Sequence, residues 1–124
     1  MLIAFANNQT MVAQNPTAST IITDPVPLNS DDRATAHLFV ESIFNPLAGA
    51  GNGISYQGQV SNDGSNWVDV TALTDSTDAV TTPAPKAKVV TVNGAFLRFT
   101  FTFKASAGNI GGCMFDLHVL TDKS

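Results

Sequence analysis

Side-chain catalysis needs titratable or nucleophilic groups that converge, and this chain offers few. It has one glutamate, Glu41, two histidines, His37 and His118, and one cysteine, Cys113. A histidine paired with Glu41 or Asp116 and acting on a serine would be the apparatus of acyl transfer. The nearest nucleophile motif, Gly53-Ile54-Ser55-Tyr56-Gln57, lacks the last glycine of G-x-S-x-G, and each histidine falls in a segment with strand alternation. Both read as structural residues. Zinc would want close Cys and His ligands, but Cys113 and His118 are separated by an odd number of positions and lie on opposite faces of a strand. Asn62, Asp63 and Asp69 offer oxygens to calcium without the D-x-[DN]-x-[DN]-G loop. Gly49, Gly51 and Gly53 lack the lysine and the following helix of a phosphate loop. Cys113 alternates with Phe115 and Leu117 and reads as a small buried hydrophobe. The expectation is a protein that is not an enzyme, with no catalytic residues, no metal and no cofactor.

Composition narrows the remaining classes. The 124 residues suit one domain, and 44% are hydrophobic. Only 13% are charged, against about 25% in an ordinary globular protein. A net charge of −4 and scattered basic residues leave no footprint for nucleic acid. No apolar window approaches the length of a membrane span, and the start lacks the basic region of a secretory signal, so synthesis in a cytoplasm and no membrane partner are expected. The sequon Asn8-Gln9-Thr10 then reads as chance. A lone cysteine cannot close an intramolecular disulfide, so the core or partner chains must hold the fold.

The elements that would position any site are strands. Leu97, Phe99, Phe101 and Phe103 alternate with Arg98, Thr100, Thr102 and Lys104, one face apolar and the other polar. Ile54, Tyr56, Gly58 and Val60 alternate with Ser55, Gln57 and Gln59. Residues 35–44, 67–72, 88–92 and 113–120 follow the same rule less cleanly. Asp63-Gly64 reads as the loop of a hairpin, and Asn93-Gly94 carries a strong signal for a second, tight hairpin. Without a capped helical stripe, the chain is expected to be all-β, an antiparallel β-sandwich or jelly roll. Residues 21–124 would form the sandwich and residues 1–20 an extended N-terminal arm, with an edge strand packed on its own domain as the alternative. The stretch 74–88, with Pro83 and Pro85, is expected to be an exposed loop.

The segment YQGQVSNDGSNWVDV, residues 56–70, resembles a hairpin of small β-sandwich virion proteins of tailed bacteriophages: a strand ends in S-x-D-G, two polar residues follow, and a Trp opens the next strand. The strand G-A-F-L-R-F-T-F, residues 94–101, is similar to a strand downstream in those domains. The resemblance is to head decoration, or cement, proteins. It implies a bacteriophage structural protein on the capsid exterior, a homo-oligomer in the form of a homotrimer, with the major capsid protein as partner. In that reading Leu2, Ile3, Phe5, Met11 and Val12 of the arm, with Phe39 and Phe44, serve the capsid and oligomer contacts. Ser61, Asp63 and Gly64 form the turn that Trp67 closes. The alternatives are a minor tail or head-tail connector protein, and a carbohydrate-binding module in which Trp67 stacks on sugar beside Tyr56 and Asn66. Charged residues are absent from positions 1–23, 42–62 and 105–115, a blockwise depletion of the kind found in interface cores.

Overall fold

A computed structural model describes residues 1–29, 32–78 and 86–123. The described chain forms strands β1 (Leu2–Gln14), β2 (Ser19–Ile22), β3 (Val26–Pro27), β4 (Asp32–Phe44), β5 (Ile54–Ser61), β6 (Val68–Thr77), β7 (Lys86–Val92), β8 (Phe96–Phe103) and β9 (Ile110–Lys123). They build two sheets, β1-β9-β4-β7 and β2-β8-β5-β6, with β3 added against β8. The pairs β1·β9, β2·β8, β4·β7 and β5·β6 are antiparallel and nested around the β5–β6 hairpin. This nesting, split over two packed sheets, is a jelly roll.

Alternation places the core. Phe99, Phe101 and Phe103 of β8, Tyr56 and Ile54 of β5, and Phe115, Leu117 and Val119 of β9 are all buried between the sheets. The rings pack edge to face: Phe99 meets Tyr56 at 5.6 Å and Phe5 at 4.7 Å between centroids, and Phe101 meets Phe115 at 5.0 Å. Gly58 lies opposite Phe99 in the β5–β8 register, and a Cβ there would come within 2.5 Å of Leu73 Cδ2. The missing side chain lets the bulged strand β6 lower Leu73 into the core.

Two expectations change. Asn93-Gly94 does not close a hairpin, because it carries the chain from β7 in one sheet to β8 in the other. Neither residue has positive φ, so the feature that makes Asn-Gly a tight-turn signal is unused. Gly94 instead lets the crossing chain pass β5, where a Cβ would sit 2.9 Å from Val60 Cβ. The stretch 74–88 is also less of a loop than expected. Its first residues continue β6 and its last begin β7, while positions 79–85, with Pro83 and Pro85, lie outside the described residues.

The first fourteen residues are woven into the sandwich. β1 pairs along its length with β9 as the edge strand of the first sheet, which is the edge-strand alternative for this segment.

The Tyr56 hydroxyl is buried and has no hydrogen-bond partner among the described residues. Burial, with Asp75 nearby, pushes its ionisation far above the ordinary tyrosine range. An unpaired buried hydroxyl costs about 1–3 kcal/mol. Tyr56→Phe keeps the ring contacts and removes that cost, so chemical denaturation should show a variant as stable as the parent or more stable by up to that amount. A loss of more than about 1 kcal/mol would mean that the hydroxyl has a partner.

Candidate functional site

The two outer faces of the sandwich differ in chemistry. On the β2-β8-β5-β6 sheet, cross-strand polar groups interlock. Arg98 Nε donates to Gln59 Oε1 at 2.9 Å, and Gln59 Nε2 donates to Asp69 Oδ1 at 2.8 Å. The Arg98 guanidinium lies 4.1 Å from the centre of the Trp67 ring, a cation–π contact. Residues opposite one another in register share a face, so the other sheet's outer face can be read row by row. One row is Leu2, Leu120, Thr35 and Val89, crossing all four strands. Another is Val12, Gly112 and Phe44. Leu2 is 70% exposed, Val12 57%, Phe44 54% and Val89 59%, so the rows present apolar side chains to solvent. Surfaces of this kind mark interaction sites.

The charges of this face are committed to neighbours. Asp116 Oδ1 accepts the Asn8 backbone N–H at 2.5 Å, and with its nitrogen turned outward the Asn8 amide donates to Glu41 at 2.8 Å. At one end Arg33 Nη2 bridges Asp122 Oδ2 at 3.0 Å, a hydrogen-bonded pair that holds the Asp122 carboxyl below its usual range.

Alternation sorts the seven sequence-derived interface candidates. Leu2, Val12, Phe39 and Phe44 occupy outward register positions. Ile3 lies opposite inward-facing Val119, Phe5 packs on Phe99, and Met11, opposite Cys113, is 2% exposed. Met11 is a core residue, and neither it nor Phe5 is free to meet a partner, because the segment that carries them is a strand with one face on the core. Val89 and Leu120 were missed. Their signal was in the sequence: Leu120 shares the parity of Met114, Asp116 and His118, a face whose mixed polarity hid its apolar members.

The titratable candidates do not assemble. His37 and His118 stand opposite each other and exposed on the outer face, with no serine in their row. Cys113 is buried, and burial pushes its thiol up to about 12, far from a reactive thiolate. Among the described residues no three His, Cys, Asp or Glu side chains are placed to hold a metal ion.

The hairpin motif is a self-contained turn. Ser61 Oγ accepts the Gly64 N–H at 2.9 Å and donates to Asp63 Oδ1 at 3.0 Å. Asp63 Oδ1 also accepts the backbone N–H of Ser65 and of Asn66, each at 2.8 Å, and Oδ2 accepts Asn66 Nδ2 at 2.6 Å. Gly64 supplies φ of 77°, which glycine adopts without strain. The sugar platform of Trp67, Tyr56 and Asn66 is not formed. Tyr56 points into the core from the opposite side of the sheet, Asn66 is held by Asp63, and Arg98 covers a face of the indole.

The Asn66 and Ser65 amides, then the Asn66 and Ser61 side chains, hold the Asp63 carboxyl well below its ordinary value of 3.8. A depressed folded-state pKa contributes stability that is fully present above the unfolded value and is lost as pH falls below it. Melting temperature measured against pH should therefore fall below about pH 4 more steeply for the parent than for Asp63→Asn, which cannot ionise. Parallel acid limbs for the two proteins would show that the turn is not the titrating element.

No family model matches the chain, and no curated protein matches it. Among solved structures, the whole chain (100%) superposes on part of a chain in the structure of infectious bursal disease virus, Gx strain, with a TM-score of 0.54 and 13% identity. The protein spans about a third of that chain's length, 32%. At this identity the likeness shows a shared β-sandwich fold.

Proposed function

We propose that the protein is a non-enzymatic structural component of a virus particle, decorating the exterior of a capsid as an oligomer and stabilising it. The observation that carries this reading is the two rows of exposed apolar side chains on the outer face of the β1-β9-β4-β7 sheet, Leu2, Leu120 and Val89 in one and Val12 and Phe44 in the other, set against the interlocked Arg98, Gln59 and Asp69 on the outer face of the other sheet. Support also comes from the jelly roll, an architecture that recurs in viral capsid domains, and from the likeness to a chain of a virus. The S-x-D-G-x-x-W hairpin, which resembles that of phage cement proteins, adds bacteriophages as the source. The mechanism is linkage. A protein that binds the assembled shell and not its dissociated subunits shifts the equilibrium toward assembly by RT ln(1 + [L]/Kd). Several copies held together gain avidity from weak individual contacts.

Leu2 and Leu120 are adjacent, exposed and absent from the core, so Leu2→Glu with Leu120→Glu tests the face without emptying the interior. Particles of the encoding virus, imaged with the parent chain, should carry it as knobs on the shell. The doubly substituted chain should keep its far- and near-ultraviolet circular dichroism and lose the particle. Absence of the parent chain from purified particles would sink the proposal, and retention of the substituted chain would remove this face from it.

A further inference from the structure

Among the described residues the jelly roll leaves strand edges open, and three of these carry the devices that discourage pairing with another chain. β7 places Lys86 and Lys88 opposite the inward-facing Leu38 and Ala36. β6 is interrupted by an irregular register and carries Asp69 and Asp75. Beside β8, β2 and β3 are short and are separated by Asp24 and Pro25. β1 differs. Its thirteen residues contain no charged side chain and no proline, and from Gln9 to Gln14 it runs in unbroken register against β9.

The hydrogen bonds fix which groups look outward. The Thr10 carbonyl accepts from the Gln9 side-chain amide at 3.1 Å, and the Gln14 carbonyl accepts from the Thr17 backbone amide at 2.9 Å, both away from β9. The Asn15 amide donates to the Asn109 carbonyl at 3.1 Å, on the side from which β9 begins. Backbone groups alternate sides along a strand, so the amide and carbonyl of Thr10 and of Val12 face the open edge.

We propose that this edge pairs antiparallel with β1 of a second copy of the chain, around a two-fold axis at Met11. Thr10 of one copy then lies opposite Val12 of the other, and each pair exchanges both backbone hydrogen bonds. The strand suits its own image because it has no charge to oppose itself. The axis keeps the outer apolar faces of both copies on one side of a continuous sheet. The bulge at Asn8, where φ is 50°, and the Gln14–Thr17 bridge bound the run at its two ends. The lysine-bearing edge of β7 stops further addition, so assembly closes at two copies. This pairing stands independently of the capsid reading and replaces the threefold contact that the phage resemblance implies.

Sedimentation or light scattering of the full chain should give a dimer. Residue-resolved hydrogen exchange of the parent should show Thr10 and Val12 amides protected like those of Met11 and Ala13. Thr10→Lys with Val12→Lys sets lysine against lysine across the axis at exposed positions, and should weaken the dimer at least about tenfold. Thr10→Ser with Val12→Thr, which adds no charge, should leave it intact. A monomer at all concentrations overturns the proposal. So does any oligomer of the parent whose Thr10 and Val12 amides exchange as freely as exposed ones, a reading of the parent that does not depend on whether the lysine variant folds.

Discussion

Phe99→Ala should destabilise the fold by about 3–5 kcal/mol, the usual cost of emptying a buried phenylalanine site, read as a lowered midpoint in urea at unchanged slope. The residue is fully buried at the junction of the two sheets. Its ring meets Phe5 from β1 and Tyr56 from β5 edge to face, and it stacks on Phe101 of its own strand at 6.4 Å. Removing it leaves three rings without a shared partner, and Gly58 opposite has no side chain to fill the gap. Rearrangement of Leu73 over Gly58 is the available relief, because the two already touch. Domains of this size hold only about 5–15 kcal/mol in all, so the variant should be marginal at physiological temperature. A cost below about 1.5 kcal/mol would mean that the site collapses more readily than its packing implies.

What the sequence revealed and what it withheld have the same cause. A strand with one face on the core and one in water writes itself in period two, so the Phe99 strand and the Tyr56 strand were legible residue by residue. The Asp63-Gly64 hairpin was legible because its hydrogen bonds are local: Ser61, Asp63, Ser65 and Asn66 satisfy one another within six positions. Asn93-Gly94 misled because the same dipeptide serves a crossing between sheets, and which sheet a strand joins is a long-range matter. β1 was only half legible. Its bulges, with register shifts between Ala4 and Ala6 and between Ala6 and Gln9, break the alternation that would have marked Ile3, Phe5 and Met11 as inward. The exposed apolar face was the least legible part. It is assembled from Leu2, Leu120 and Val89, which are far apart in sequence and become neighbours only through the nested pairing.

That placement of β1 changes what truncation should do. A peripheral arm could be deleted to give a folded protein that has lost only its contacts, whereas deletion of residues 1–14 here should abolish cooperative folding. Met11, Ala6 and Ala13 are buried in the core, Phe5 is half-buried against it, and Ile3, opposite inward-facing Val119, is half-buried. A fully buried large apolar side chain contributes about 1.5–3 kcal/mol, so losing Met11 entirely and Ile3 and Phe5 by about half removes on the order of 3–6 kcal/mol before any hydrogen bond is counted. The β1–β9 ladder goes with them, and so do the contacts of the Met1 amine and carbonyl with Thr121. Stripped of its neighbour, β9 would offer a long edge carrying Cys113, Phe115, Leu117 and Val119 on its inner face. Such an edge pairs with other chains, so the truncated protein should appear in the aggregated fraction, with its near-ultraviolet circular dichroism lost. A soluble truncated chain that melts cooperatively near the parent temperature would show that the strand is dispensable and would return residues 1–14 to the role of an arm.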